Sequence, residues 1–320
     1  MHTFFLLSAL LIAGLLGGLG AFVVRMAPSP GRRPVALAVL AAPPAVLGLA
    51  VLHLVPRLWP ECAPLEGWDR VTSITLLGGI AGVALGALAL NVARLILMER
   101  LLRGCPPLTH PPSQVCVAAL AARFGTRVPD IRVLHINSPL AVSGGLVKPT
   151  IVLSSGLVGR LDAREIEAVL AHEVAHLARR DHLTRWLGRL GRDMLVYLPG
   201  GWAALRALEA DEELGADVRA VGATGRPLAM ASALGKLWRD LPAAPALGLS
   251  GVPGYGGTTS VRLLEDRLQR LLDGRVTQPR AVLPGRFLAG AGVISIGELA
   301  PRLLNASATA LPLMCGVRLP

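Results

Sequence analysis

His172, Glu173 and His176 stand in the run His172-Glu173-Val174-Ala175-His176, an H-E-x-x-H pattern. On a helix, residues i and i+4 share one face. Two imidazoles so placed can grip one zinc ion, and Glu173 between them is set to act as general base on the water such an ion acidifies. The flanks predict the helix that this chemistry needs. Ile166, Val169, Leu170, Val174 and Leu177 recur at helical spacing. Asp162 fits an N-cap, and Glu165 three residues later completes a capping-box pattern. Glu165 and Glu167 suit the positive end of the helix dipole; Arg179 and Arg180 suit its negative end.

A catalytic zinc site takes a third protein ligand and leaves the fourth position open. The stretch Glu213-Leu214-Gly215-Ala216-Asp217 reads as helix and supplies it. Glu213 is the expected third ligand, with Glu209 in reserve. Asp217 lies one turn after Glu213 on the same face, where it can accept a hydrogen bond from a ligand histidine and fix its tautomer. Glu209, Asp211 and Glu212 crowd the same stretch, so without the histidine motif it would read as a solvated acidic face.

The remaining elements must hold these residues. The chain has 320 residues, 52% of them hydrophobic. The mean hydropathy of +0.55 points to a membrane protein that keeps room for one soluble domain. Formal net charge is +11, and Lys148 and Lys236 are the only lysines. With apolar spans present, the arginine excess fits an anionic membrane surface better than nucleic acid, and it is dispersed. Aromatic residues are 4% of the chain, too few for a stacking platform, so no direct nucleic-acid contact is expected. Cys62, Cys105, Cys116 and Cys315 form no C-x-x-C pair, which argues against a cysteine zinc site.

Three apolar stretches are long enough to cross a bilayer: Phe4 to Val24, Val35 to Val55 and Val71 to Val92. Pro43 and Pro44 are expected to kink the second. Arg25, Arg32 and Arg33 follow the first span, and Arg94, Arg100 and Arg103 follow the third. Positive residues tend to stay in the cytoplasm, so the N-terminus is expected outside and the part after residue 103 inside. Trp59 and Trp68 suit the membrane interface in an outer loop. This gives three expected parts: 1–103, three transmembrane helices; 104–280, a cytoplasmic peptidase domain; and 281–320, a membrane-associated segment. Phe287 to Ile296 reads as the heart of a fourth span or as an interfacial segment.

Within the soluble part, Ser113 to Phe124 is expected as a helix. Ile131 to Ile136, Leu140 to Ser143 and Thr150 to Ser154 are expected as short strands, with turns at Gly144-Gly145 and Lys148-Pro149. After the histidine helix, Asp181 caps a helix running to about Leu198, which Pro199-Gly200-Gly201 ends. Trp202 to Val221 carries Glu213, and Pro227 to Asp240 follows. Leu241 to Thr259 reads as a lid or loop, and Ser260 to Leu272 as a solvated surface helix.

At this level the chain resembles the BlaR/MecR-type antirepressor metallopeptidases. The resemblance rests on Leu140-Ala141-Val142-Ser143-Gly144-Gly145, on Lys148-Pro149 before Ile151-Val152-Leu153, and on the helix from Glu165 through Arg179-Arg180-Asp181-His182. It implies an α-helical membrane protein with an α+β zincin-like, gluzincin-type metallopeptidase domain. It also implies zinc on His172, His176 and Glu213, with Glu173 as base. It implies a protein substrate, namely a transcriptional repressor, and often the chain itself; the lipid bilayer is the other expected partner, and a homodimer is one option for an oligomeric state that the sequence does not fix. No S-x-x-K motif is found and only a short tail follows the last candidate span, so a penicillin-binding sensor domain is not expected.

Three other readings compete. HtpX-type quality-control proteases share the histidine helix and the downstream glutamate. A protease acting inside the bilayer fits less well, because Glu165, Glu167, Arg179 and Arg180 charge the histidine helix. A non-catalytic membrane sensor or scaffold would be free to lose any of the four site residues, yet all are intact.

Overall fold

The computed structural model describes residues 2–27, 32–54, 67–108, 111–146, 148–194, 199–239 and 258–274. The 281–320 segment with its candidate fourth span, nearly all of the Leu241 to Thr259 stretch, Trp59, Cys62, Cys315 and 195–198 lie outside the described residues.

The described residues fall within two compact units. One lies within Met1–Asn91 and Leu187–Leu208, the other within Val92–Trp186 and Glu209–Arg280. The first unit holds α1 (His2–Met26), α2 (Arg33–Leu54) and the first part of α3 (Gly67–Gly104). These three helices are long and apolar enough to cross a membrane. Leu11, Leu19 and Phe22 on α1 are exposed, as lipid-facing residues must be. Where the same helices face protein, they pack on small residues: a Cβ on Gly20 would lie 2.5 Å from the Val39 side chain. Pro43 and Pro44 lie inside α2, and the helix runs through them.

The unit also contains Leu187–Leu208, which the sequence assigned to the peptidase domain. The reason is apolar packing. Ala204, Leu205 and Leu208 join Val24, Val35, Ala36 and Leu40 in one buried cluster. Here Asn91 donates to Asp193 at 2.8 Å, and Arg192 lies 4.4 Å over the ring of Trp202.

Three boundaries differ from expectation. α3 does not stop near Val92 but continues to Gly104, because Ala93–Arg103 contains only good helix formers. The helix that carries Glu213 starts not at Trp202 but at Pro199: Pro199-Gly200-Gly201 opens α8 (Pro199–Thr224), with the proline at the first position, where its missing N–H is harmless. α10 (Thr258–Leu272) is not simply a solvated surface helix: Leu271 is buried, and the element packs on α9 (Pro227–Arg239).

The second unit is built on a three-stranded sheet of order β1-β3-β2, comprising β1 (Asp130–Leu134), β2 (Ala141–Gly144) and β3 (Thr150–Ser154). β3 is central and buried along its length, parallel to β1 and antiparallel to β2. The Pro106–Leu108 segment closes the outer edge of β1, where Leu108 N donates to Ile131 O and Val133 N to Pro106 O. Between β2 and β3 the chain turns at Gly145, whose φ of +107° suits glycine. The short α5 (Ser155–Val158) follows, its N-terminus capped by the Ser154 side chain.

α6 (Ala163–Arg179) lies at the centre of this unit, in contact with α4 (Pro111–Phe124), α9 and β2. Its Ala168, Val169, Leu170, Ala171, Val174 and Leu177 enter the same core as Ile151, Leu153 and Leu157. The expected capping box is present: Asp162 accepts from Glu165 N at 2.9 Å, and Glu165 accepts from Asp162 N at 2.8 Å. Glu165 also accepts from Ser232 and Lys236, each at 2.6 Å, tying α9 to the start of α6. α6 ends at Arg180, which takes a left-handed conformation with φ of 54°. α7 (Asp181–Met194) therefore begins in a new direction directly after the histidines.

Candidate metal centre

α6 carries His172, Glu173 and His176 on its buried length, and all three are at most 9% exposed. α8 delivers Glu213 and, one turn on, Asp217. The ligand atoms of His172, His176 and Glu213 converge within 4.8 Å of one another. The two Nε2 atoms are 3.0 Å apart. Glu213 Oε2 lies 3.4 Å from His172 Nε2, and Oε1 lies 3.6 Å from His176 Nε2. Ligands held about 2.0 Å from one ion in a tetrahedral array sit about 3.3 Å apart. The three separations bracket that value.

The outer nitrogens sharpen the case. His176 Nδ1 lies 2.7 Å from Asp181 Oδ2, in a buried hydrogen bond. His172 Nδ1 lies 3.0 Å from Asp217 Oδ1, a contact with hydrogen-bond distance but without full hydrogen-bond alignment. A carboxylate beside Nδ1 keeps the proton there and turns the Nε2 lone pair inward. Two inward lone pairs and a carboxylate then face one another and repel unless a cation or a proton joins them. The donor set and its spacing therefore fit a divalent metal ion.

Burial and neighbouring charges act in opposite directions on the titratable groups of this centre. Burial disfavours a charged His172, but Asp217 and Glu213 outweigh it and lift its pKa to about 9. Burial also opposes ionisation of Glu213, yet His176, Arg267 and His172 hold its carboxyl well below the usual carboxylate range. Asp217 is lowered in the same way, against burial, by Arg267 and His172.

An outer ring of arginines surrounds these carboxylates. Arg267 Nε and one terminal nitrogen contact Asp217 at 2.7 and 2.8 Å, and its other terminal nitrogen reaches Glu213 Oε2 at 3.0 Å. Arg185 donates to Glu212 at 3.0 Å and reaches Glu213 Oε1 at 3.3 Å. Glu212 also accepts from Thr184 at 2.6 Å. Burial, followed by the charge of Asp181, pushes Glu212 up against the pull of Arg185. Arg179 contacts Asp181 at 3.2 Å and closes over the backbone at Gly215, where a Cβ would strike its guanidinium.

Glu173 is different. Among the described residues no hydrogen bond or ion pair engages its carboxylate, although only 8% of the residue is exposed. A shielded carboxylate with no partner beside the ligand cluster is available to take a proton. Glu209 is not part of the converging set. His182 is also outside it, and burial lowers its pKa despite Asp181.

Asp181 went unrecognised in the sequence as a partner of His176. Its signal was an acidic residue placed just past the end of the histidine helix. The roles of Arg185 and Arg267 had no local signal, because each is far in sequence from the group it meets.

The family described as BlaR1 peptidase M56 matches residues 60–226 of the chain. Relatives include a protease HtpX homolog of Acidiphilium cryptum (strain JF-5), 30% identical over 37% of this chain and 53% of its own length. Protease HtpX of Legionella pneumophila (strain Corby) is 29% identical over 38% of this chain and 56% of its own. Protease HtpX homolog 1 of Streptomyces coelicolor is 30% identical over 44% and 58%. The chain thus spans little more than half the length of these curated relatives.

Proposed function

The chain belongs to the BlaR1-type M56 peptidase family, and from that premise we propose that it is a zinc endopeptidase held in a membrane by several spans. The observation that carries the reading is the convergence of His172, His176 and Glu213 with both Nε2 atoms turned inward. When bound, zinc supplies Lewis-acid polarisation and a lowered water pKa. His172, His176 and Glu213 hold it, and Asp217 and Asp181 set the imidazole tautomers. Glu173 takes the proton of the attacking water and returns it to the leaving amide nitrogen.

The β2 edge suits an extended substrate. The outer edge of β1 is closed by Pro106–Leu108, whereas β2 pairs with β3 on one side and takes no further strand among the described residues. A substrate strand added there gains main-chain hydrogen bonds.

The arginines that follow the first and third spans support a cytoplasmic peptidase unit. The substrate would then be a cytoplasmic protein. The likeness to the antirepressor family favours a transcriptional repressor. A protease of the HtpX type is equally supported, by the relatives of that name.

The test is the zinc content and proteolysis of detergent-purified protein. We expect one zinc per chain, lost in Glu213→Ala and retained in Glu173→Gln, and cleavage lost in both. Wild-type cleavage rates in Glu173→Gln would sink the mechanism. A zinc-free wild type would favour the sensor or scaffold reading.

A further inference from the structure

We propose that Arg267 is a positioning residue of the metal centre: its guanidinium clamps Asp217 and Glu213 together, making α10 a structural part of the site. The inference rests on the zinc reading above. Arg267 lies well past residue 226, where the family match ends, so nothing in that match assigns it.

Four distances carry the argument. One face of the guanidinium holds Asp217 by two contacts, at 2.7 and 2.8 Å. The remaining terminal nitrogen holds Glu213 Oε2 at 3.0 Å. Asp217 in turn sits 3.0 Å from His172 Nδ1. One side chain thus sets the carboxylate that orients a histidine and also touches the expected third ligand. Its own position is well anchored. The Arg267 side chain is only 11% exposed, and the next residue, Leu268, and Leu271 pack into the core that contains α6.

The chemistry explains why arginine stands there. Asp217 and Glu213 are two carboxylates converging on the same imidazole, and they repel each other. A planar fork satisfies one of them by paired bonds and still has a donor for the other. A lysine ammonium is a point charge and cannot hold both in the same geometry. Arg185 does not duplicate the role, since its shorter contact goes to Glu212 and its longer one to Glu213.

The test uses the full chain in detergent, with Co2+ as probe. Wild type is compared with Arg267→Met, Arg267→Lys and, as control on the same helix, Arg270→Met, whose partner is the half-buried Asp266. The readouts are Co2+ affinity, the Co2+ visible absorption spectrum and the thermal midpoint. Arg267→Met should weaken Co2+ binding by about ten- to a hundred-fold and change the spectrum. Arg267→Lys should recover only part of the affinity and keep an altered spectrum. Arg270→Met should match wild type. If wild type takes up no Co2+, the metal reading itself falls. If wild type binds and either Arg267 variant binds with wild-type affinity and spectrum, the positioning role alone is overturned. Arg267→Lys, which keeps charge and approximate volume, decides the matter where Arg267→Met does not fold.

Discussion

His176 and His172 are served by two arms of the same composition, each an aspartate at Nδ1 with an arginine behind it. The arms differ in how far along the chain they reach. His176, Arg179 and Asp181 lie within six residues across the end of α6. His172, Asp217 and Arg267 come from three helices, α6, α8 and α10. The local arm is the better aligned, with a 2.7 Å hydrogen bond from ring to carboxylate. The assembled arm has a 3.0 Å contact short of hydrogen-bond alignment, but a stronger arginine fork behind it. Backbone geometry alone can place a partner a few residues away. A partner on another helix must be held by side chains, which is why Asp217 carries a two-pronged arginine from a third helix, whereas the arginine beside Asp181 comes from the end of α6 itself.

The largest effect should come from removing either histidine. His172→Ala and His176→Ala are each expected to abolish stoichiometric zinc and to lower proteolysis by at least about a thousandfold. Unequal retention of zinc would show that one arm dominates the site. Replacing the aspartates separates the arms. Asp181→Asn and Asp217→Asn should each weaken metal binding by about ten- to a hundred-fold. Asp217→Asn should also destabilise the metal-free protein by about 3 kcal/mol, because it removes the carboxylate that the buried Arg267 holds by two of its three contacts. The effect of Asp181→Asn on the metal-free thermal midpoint should be smaller, and equal losses would erase the distinction.

A third prediction concerns the foundation under both arms. Burial works to raise the Glu165 pKa, but Lys236, Ser232 and the Asp162 amide together hold it below its ordinary 4.5. A carboxylate whose folded pKa is depressed stabilises above its ordinary value and loses that contribution as pH falls through the folded value. Thermal midpoints of wild type should therefore fall as pH drops below about 4.5, and Glu165→Gln should flatten this part of the curve. At neutral pH the variant should lose about 1 kcal/mol, through the lost ion pair with Lys236, since glutamine can still complete the capping box. The smallest effect belongs to the bend that creates the local arm. Arg180→Gly removes a side chain from a left-handed position and should stabilise by a few tenths of a kcal/mol to about 1 kcal/mol. A loss of metal affinity in that variant would show that Arg180 does more than turn the chain.

Much of this was readable from local pattern. The i, i+4 histidines, the capping box, the apolar stripe of α6 and the three strands are short-range signals, and they appear within a few residues of expectation. The three long apolar helices were equally legible, because length and composition suffice. The errors fell where local pattern competes with packing. Pro199 reads as lying between two helices and is instead the first residue of the second. Leu187–Leu208 read as part of the peptidase domain but packs with α1 and α2, because Ala204, Leu205 and Leu208 find their apolar partners there.

What the amino-acid sequence determined by itself was the identity of the chemistry: two imidazoles on one helical face, a carboxylate between them and an acidic helix downstream. What tertiary structure decided was the choice among the acidic residues. Glu209, Asp211, Glu212, Glu213 and Asp217 are all carboxylates on one helix; the sequence pointed to Glu213 and Asp217 but could not show which side chains meet the imidazoles. Packing α8 against α6 brings Glu213 to the imidazoles and Asp217 to His172. Arg185 takes Glu212, and Arg267 arrives from about fifty residues further along. Helical periodicity acts over a single turn, whereas the pairing of buried charges is settled only when distant helices share one core.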